Sequence, residues 1–255
     1  MTTLTGLGDT MTLAQRMLKH NVRSPDTIMT VLGMPLMFLL AFVFVLGGAM
    51  DTGPIRYVDF VVPPVLLFCI AAGVAYTAFR VYRDVTSGMY ARFWSMPIAR
   101  WAVTAGHMVA SVIVNGVSVA VLLAVAFAIG YRPKATLGGW LVTVAVLVAA
   151  LVAFSLMGVA FGLVAKTEEG ASMFVYLMIG LLFVSSGFAP TATMAAGLRA
   201  FADHQPMTPL IDAIRSAQLG AVDPGTTWLG LAWLAAIAIA FGALANLAGR
   251  RRASA

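Results

Sequence analysis

Charge is what this chain of 255 residues is short of: Asp, Glu, Lys and Arg together make up 10% of it. Six runs hold none of the four, namely 27–50, 60–79, 101–131, 135–165, 170–198 and 224–249, and the shortest is 20 residues long. That is about what a helix rising 1.5 Å per residue needs to cross the hydrocarbon core of a bilayer. No water is available there to backbone N–H and C=O groups, so a crossing segment closes its hydrogen bonds as a helix or within a closed barrel. Barrel strands alternate polar and apolar residues, whereas Leu141–Val152 is apolar all round. The expected fold is an all-α integral membrane protein. Its six transmembrane helices are expected at about 27–50, 60–79, 107–130, 138–165, 170–189 and 226–248.

Other absences narrow the chemistry. Cys69 is the single cysteine, which excludes an intrachain disulfide and a thiolate metal site. The only lysines, Lys19, Lys134 and Lys166, follow Leu18, Pro133 and Ala165. A P-loop needs Gly-Lys-Ser/Thr to cradle phosphates, so ATP hydrolysis by this sequence alone is not expected. All ten acidic residues fall outside the six runs. Ion-coupled carriers usually keep an ionisable group inside the bundle, so a secondary transporter is the weaker reading. An embedded enzyme would need a converging nucleophile, acid or metal set. His20, His107 and His204 offer none; they carry no HExxH pattern and read as interfacial. No catalytic residue, metal or cofactor is expected on the chain.

The charges that are present are placed unevenly. Eleven basic residues (Arg16, Lys19, Arg23, Arg80, Arg83, Arg92, Arg100, Lys166 and Arg250–Arg252) fall on one side of the six-span topology and five on the other. The basic excess marks the cytoplasmic face, so both termini are expected inside a multi-pass protein of the cytoplasmic membrane. The net charge of +6 thus reflects sidedness and gives no reason to invoke nucleic acid. Before the first span, Leu7, Met11, Ala14, Met17 and Leu18 recur at helical spacing opposite Gln15, Arg16, Lys19 and His20. The spacing predicts an interfacial helix at about 8–23 lying against membrane lipid. Ser24-Pro25-Asp26 then supplies an N-cap, a first-turn proline and a carboxylate for the next helix.

Polar residues gather in two loops. The inner stretch 80–100 sets Arg80, Arg83, Asp84, Arg92 and Arg100 beside Tyr90, Phe93, Trp94 and Met96, with Gly88 as a break and Pro97 as a stop. Such a short amphipathic helix either rests on the membrane interface or plugs into a cytoplasmic partner. The outer stretch 190–223 is punctuated by Pro190, Pro206 and Pro209 into two segments, 194–202 and 210–219, with Asp212 and Arg215 spaced for an ion pair. Neither segment is long enough to span, so they dip into the outer leaflet or cap the bundle. Within the third span Ser111, Asn115 and Ser118 form a polar stripe that either lines a translocation path or bonds between helices. Gly158-x3-Gly162 is a close-packing pattern. No internal repeat is visible, and 1–255 reads as one domain.

The two loops also carry a resemblance. Arg83-Asp84-x3-Gly88-Met89-x2-Arg92-Phe93-x2-Met96-Pro97-Ile98-x-Arg100 is similar to the coupling segment of type-2 ABC exporter permeases, particularly the daunorubicin-resistance (DrrB-type) branch. So is the outer pattern Ser185-Ser186-Gly187-Phe188-x-Pro190, Gln205-Pro206-x-Thr208-Pro209 and Asp212-Ala213-x-Arg215. The chain departs from that branch at Met194-Ala195-Ala196-Gly197, where Met-Pro-x-Trp is frequent. The resemblance implies a permease subunit for drug, antibiotic or lipid efflux. It would pair with a second copy or a related permease and depend on two cytoplasmic ATPase subunits that hold ATP and Mg. It further implies that Arg83, Asp84, Gly88, Arg92, Phe93, Pro97 and Arg100 form the ATPase-coupling segment. The start of the chain would be a connecting helix, and the region of Pro190, Pro206, Pro209, Asp212 and Arg215 would be re-entrant outer helices.

Overall fold

The computed structural model describes residues 2–22, 29–49, 55–89 and 100–253, and among them every regular element is helical. The N-terminal helix α1 covers Thr2–Val22. It is followed by α2, Met34–Ala41, continued at its two ends by π-helical turns at Met29–Gly33 and Phe42–Leu46. Four long helices come next in the chain or close it: α3 Tyr57–Thr86, α4 Arg100–Ala128, α5 Leu137–Val164 and, last of all, α10 Pro224–Ala253. Between α5 and α10 lie short pieces: α6 Glu168–Ser172, α7 Phe174–Phe183, a 3-10 turn at Thr191–Thr193, α8 Ala196–His204 and α9 Met207–Gln218.

The bundle is organised round α3. Its apolar window is 83% buried, against 17% for that of α10, so α3 is the axis and α10 the periphery. Pro63 and Pro64 sit inside α3, which is tolerated where neighbouring helices cover the freed carbonyls. Gly158 and Gly162 let α5 approach α3 closely. A side chain at Gly158 would strike Val74, and one at Gly162 would strike Ala78 and Val81. The glycine pair read from the sequence therefore marks a true helix seam.

Among the described residues four helices, α3, α4, α5 and α10, are long and apolar enough to cross a membrane. The charge-free runs at 27–50 and 170–198 behave differently from the other four. The first gives an apolar helix of 10–17 residues, Val31–Leu46. The second is interrupted at Met173, between α6 and α7, and α7 stops at Phe183. The stop has a physical cause. The Ser185 hydroxyl bonds back to the Leu182 carbonyl and accepts from the Gly187 N–H, making a local turn that competes with helix continuation. The Ser24-Pro25-Asp26 cap lies outside the described residues.

In the outer region the segment expected at 210–219 begins earlier, at Met207, because Pro206 is the N-cap and Pro209 occupies the first turn. Proline costs nothing there, since first-turn N–H groups have no partner within the helix. α9 is also buried more deeply than a surface cap, with Leu210, Ile211, Ala213, Ile214 and Ala217 at 0% exposure. α8 stays exposed through Leu198 and Phe201.

Candidate functional site

The inner end of α3 is where the predicted coupling residues begin. Arg80, Arg83 and Asp84 occupy its last turns, and the helix closes at Ser87, whose N–H donates to the Arg83 carbonyl at 2.9 Å. Gly88 then takes φ +72, a left-handed conformation that reverses the chain and that other residues adopt only under strain. The sequence assigned Gly88 to such a break. Arg83 lies 5.6 Å over the Phe79 ring and Arg80 5.9 Å over the Tyr76 ring, each braced by an aromatic about one turn back. α1 crosses this end and places the Arg16 guanidinium 3.4 Å from the Met89 sulfur. Arg16, Met17, Arg80, Arg83, Asp84, Ser87 and Met89 enclose a cavity of about 250 Å³.

Behind the cavity a polar seam climbs into the bundle. The His107 Nε2 stands 3.4 Å from the Asp84 carboxylate, with no hydrogen bond from that nitrogen among the described residues. His107 is 4% exposed, a buried residue of α4 packed on α3. Its position two turns into α4, beneath α1, explains the burial. Further in, the Thr77 hydroxyl donates to Ser111 at 2.9 Å, Ser111 pairs with Ser155 at 2.8 Å, and the Asn115 amide donates to Ser111 at 3.1 Å. The Asn115 Oδ1 has no hydrogen-bond partner and rests against Gly73, where any side chain would collide with it. Ser118 turns onto its own helix, donating to the Val114 carbonyl. The stripe thus splits: Ser111 and Asn115 join three helices, while Ser118 does not.

The outer end is built round an arginine–aspartate pair. The Arg215 Nη1 donates to Asp212 at 3.0 Å, and its Nη2 donates to the carbonyls of Ser186, Gly187 and Phe60. The guanidinium also lies 4.0 Å over the Phe60 ring. Ser186 donates to Asp212 at 2.7 Å. Burial pushes the Asp212 carboxyl above its ordinary range, opposed by the Ser186 hydrogen bond and the Arg215 charge. Burial also lowers Arg215 to about 10, which leaves it cationic at neutral pH. Gln205 completes the knot: its Nε2 donates to the Leu181 carbonyl left open at the end of α7, and its Oε1 accepts from the Met207 N–H at the start of α9. Pro206 and Pro209 set that start, and Pro190 caps the 3-10 turn.

The structure therefore brings Arg83, Asp84 and Gly88 to one end, and Asp212 and Arg215 to the other. Arg92, Phe93 and Pro97 lie outside the described residues; Arg100 opens α4, and its side chain is likewise outside them. Sequence reasoning missed the roles of Arg16, His107, Ser155 and Gln205. Only the i,i+4 spacing of Arg80 and Asp84 hinted at the inner cluster.

Comparison with known proteins adds three findings. Residues 9–219 match the ABC-2 type transporter family. The chain is 30% identical over 222 residues to the daunorubicin resistance ABC transporter permease protein DrrB1 of Streptomyces coeruleorubidus, covering 85% of this chain and 77% of that one. It is 25% identical over 256 residues to the probable doxorubicin resistance ABC transporter permease protein DrrC of Mycobacterium tuberculosis, covering 97% of this chain and 90% of that one.

Proposed function

The chain belongs to the ABC-2 type transporter family as a membrane permease subunit of an ABC drug exporter, and on that premise we propose how it works. Its cargo is a hydrophobic or amphipathic compound, carried outward across the cytoplasmic membrane. The energy comes from two separate cytoplasmic subunits that hold ATP and Mg, and the permease pairs with a second copy or a related permease. The family match over residues 9–219 carries this reading, because it takes in both the inner stretch 80–100 and the outer stretch 190–223.

In this scheme 80–100 seats on the ATPase. Arg83, Arg92 and Arg100 meet acidic groups there, and Phe93 serves as an apolar anchor. Asp84 joins these charges in pairing with the ATPase surface, Gly88 makes the turn, and Pro97 ends the coupling helix. α3 suits transmission: it runs unbroken for 30 residues from the Arg56–Asp59 ion pair to Arg83 and Asp84. A displacement of its inner end therefore reaches the core directly. The six-span topology is completed by α2 with its π-helical ends and by α6 with α7, which keeps both termini inside. The outer region of Pro190, Pro206, Pro209, Asp212 and Arg215 acts as a re-entrant plug. For Ser111 and Asn115 the hydrogen bonds to Thr77 and Ser155 favour a packing seam over a translocation path.

A tagged chain drawn from native membranes in mild detergent tests the partnership. The expected eluate contains a stoichiometric soluble P-loop ATPase that is lost with Arg92→Glu. Purification of the chain alone would contradict the scheme.

A further inference from the structure

We propose that a small cavity between α3 and α4 is a water site, in which one ordered water joins the His107 imidazole to the Asp84 carboxylate and the Thr77 hydroxyl. The cavity measures about 20 Å³ and has Met17, Thr77, Asp84, His107, Ala110 and Ser111 in its wall. A buried water needs about 10–15 Å³ and two to four polar partners, so the space and the lining both suit one. His107 is 4% exposed, and its Nε2 has no hydrogen-bond partner among the described residues. A buried ring nitrogen left so costs stability, which a bonded water restores.

The hydroxyls round the cavity are committed elsewhere. Thr77 donates to Ser111, and Ser111 also takes the Asn115 amide and pairs with Ser155. Thr77 keeps a lone pair, and an ionised Asp84, 3.4 Å from Nε2, only accepts. Water supplies the missing protons. It donates to the carboxylate and to a bare Nε2 or Thr77, and it accepts from Nε2 when that nitrogen carries the proton. Arg80 also lines the cavity, and its charge disfavours a metal cation there. Met17, Arg80 and Asp84 line the larger cavity as well, so Asp84 stands between that space and the polar seam, which gives water a way in. A bridging water bonds nearly as well as a direct contact. The inner end of α3 is thereby tied to α4, a link that goes beyond the export reading and does not rest on it.

The test is hydroxyl-radical labelling of the full chain in detergent, with the radicals made from water by a brief X-ray pulse and read by mass spectrometry. No nucleotide, ATPase or cargo is present, so failure of the export reading cannot affect it. Radicals form where water is bound, so a buried side chain is labelled only where a water touches it. After correction for intrinsic reactivity, His107 is expected to be labelled about fivefold faster than Phe68, which is 1% exposed in the apolar core. Ala110→Val fills the cavity and is expected to bring His107 down to the Phe68 rate while Phe68 itself stays as it was. Should that variant not fold, Thr77→Val removes one partner of the water and is expected to slow His107 labelling about threefold. Labelling of wild-type His107 at the Phe68 rate, labelling of His107 in the folded variant at the wild-type rate, or an equal change at Phe68 would overturn the proposal.

Discussion

At the outer end Arg215 is 11% exposed, and its Nη1 and Nη2 donate to Asp212 and three backbone carbonyls, while the buried Nε has no hydrogen-bond partner among the described residues. At the inner end Arg83 is exposed over Phe79, and its neighbour Asp84 turns toward His107. The same two residue types thus make a closed knot on one side and an open, basic surface on the other. A closed knot stabilises the fold and resists exchange of partners. An open surface contributes little to folding and leaves its charges available to something else. The contrast predicts that substitutions at the two ends separate stability from function.

The largest effect is expected at the knot. Arg215→Ala strands a half-buried carboxylate and three carbonyls and should cost about 3 kcal/mol in the thermal unfolding of the detergent-solubilised chain. A cost equal to that of Arg83→Ala would erase the contrast. Next comes the seam between the ends. Gly162→Leu drives a side chain into Ala78 and Val81 of α3 and should cost about 2 kcal/mol, with loss of any activity that needs α3 in register. Gly88→Val is expected to cost about 1 kcal/mol. Among the described residues nothing lies within 4 Å of a side chain there, so the penalty comes from the backbone conformation.

A pH series gives a smaller and more specific comparison. The folded state raises the Asp212 carboxyl above its ordinary value of 3.8, chiefly by burial. Native protein therefore binds that proton more readily than unfolded protein between 3.8 and the raised value, and stability from this group falls as pH rises through the window. The unfolding temperature of wild type relative to Asp212→Asn should climb on acidification from neutral toward 4; a flat difference would remove Asp212 from the account. Smallest is the folding effect of Arg83→Gln, within about 0.5 kcal/mol. The same change should nevertheless weaken ATPase docking, measured by co-purification.

The four long helices were legible because lack of charge is a local property, and α3, α4, α5 and α10 each follow from one uncharged run. The run at 170–198 was less legible, because its helix is interrupted. Hydropathy sees its apolar residues, while the break after Phe183 depends on the Ser185 turn and on Gln205, which supplies the open Leu181 carbonyl from 24 positions away. The Asp212–Arg215 spacing revealed an ion pair, but the carbonyls of Phe60, Ser186 and Gly187 that enclose it come from other elements. Likewise helical spacing exposed Ser111 and Asn115 on one face, and the Ser155 that pairs with Ser111 lies 44 positions on. The burial of His107 was not legible, since it comes from the packing of α1 over α4. Local chemistry was readable; what each polar group meets across the bundle was not.

The most direct test of the central claim is cargo uptake by inverted membrane vesicles holding this chain with its ATPase, using daunorubicin as the probe. The account predicts accumulation that requires ATP, persists when the proton gradient is collapsed, and falls to background with Arg92→Glu while the chain remains folded. Uptake that continues without ATP and stops on collapse of the gradient would contradict it and make the chain a secondary transporter.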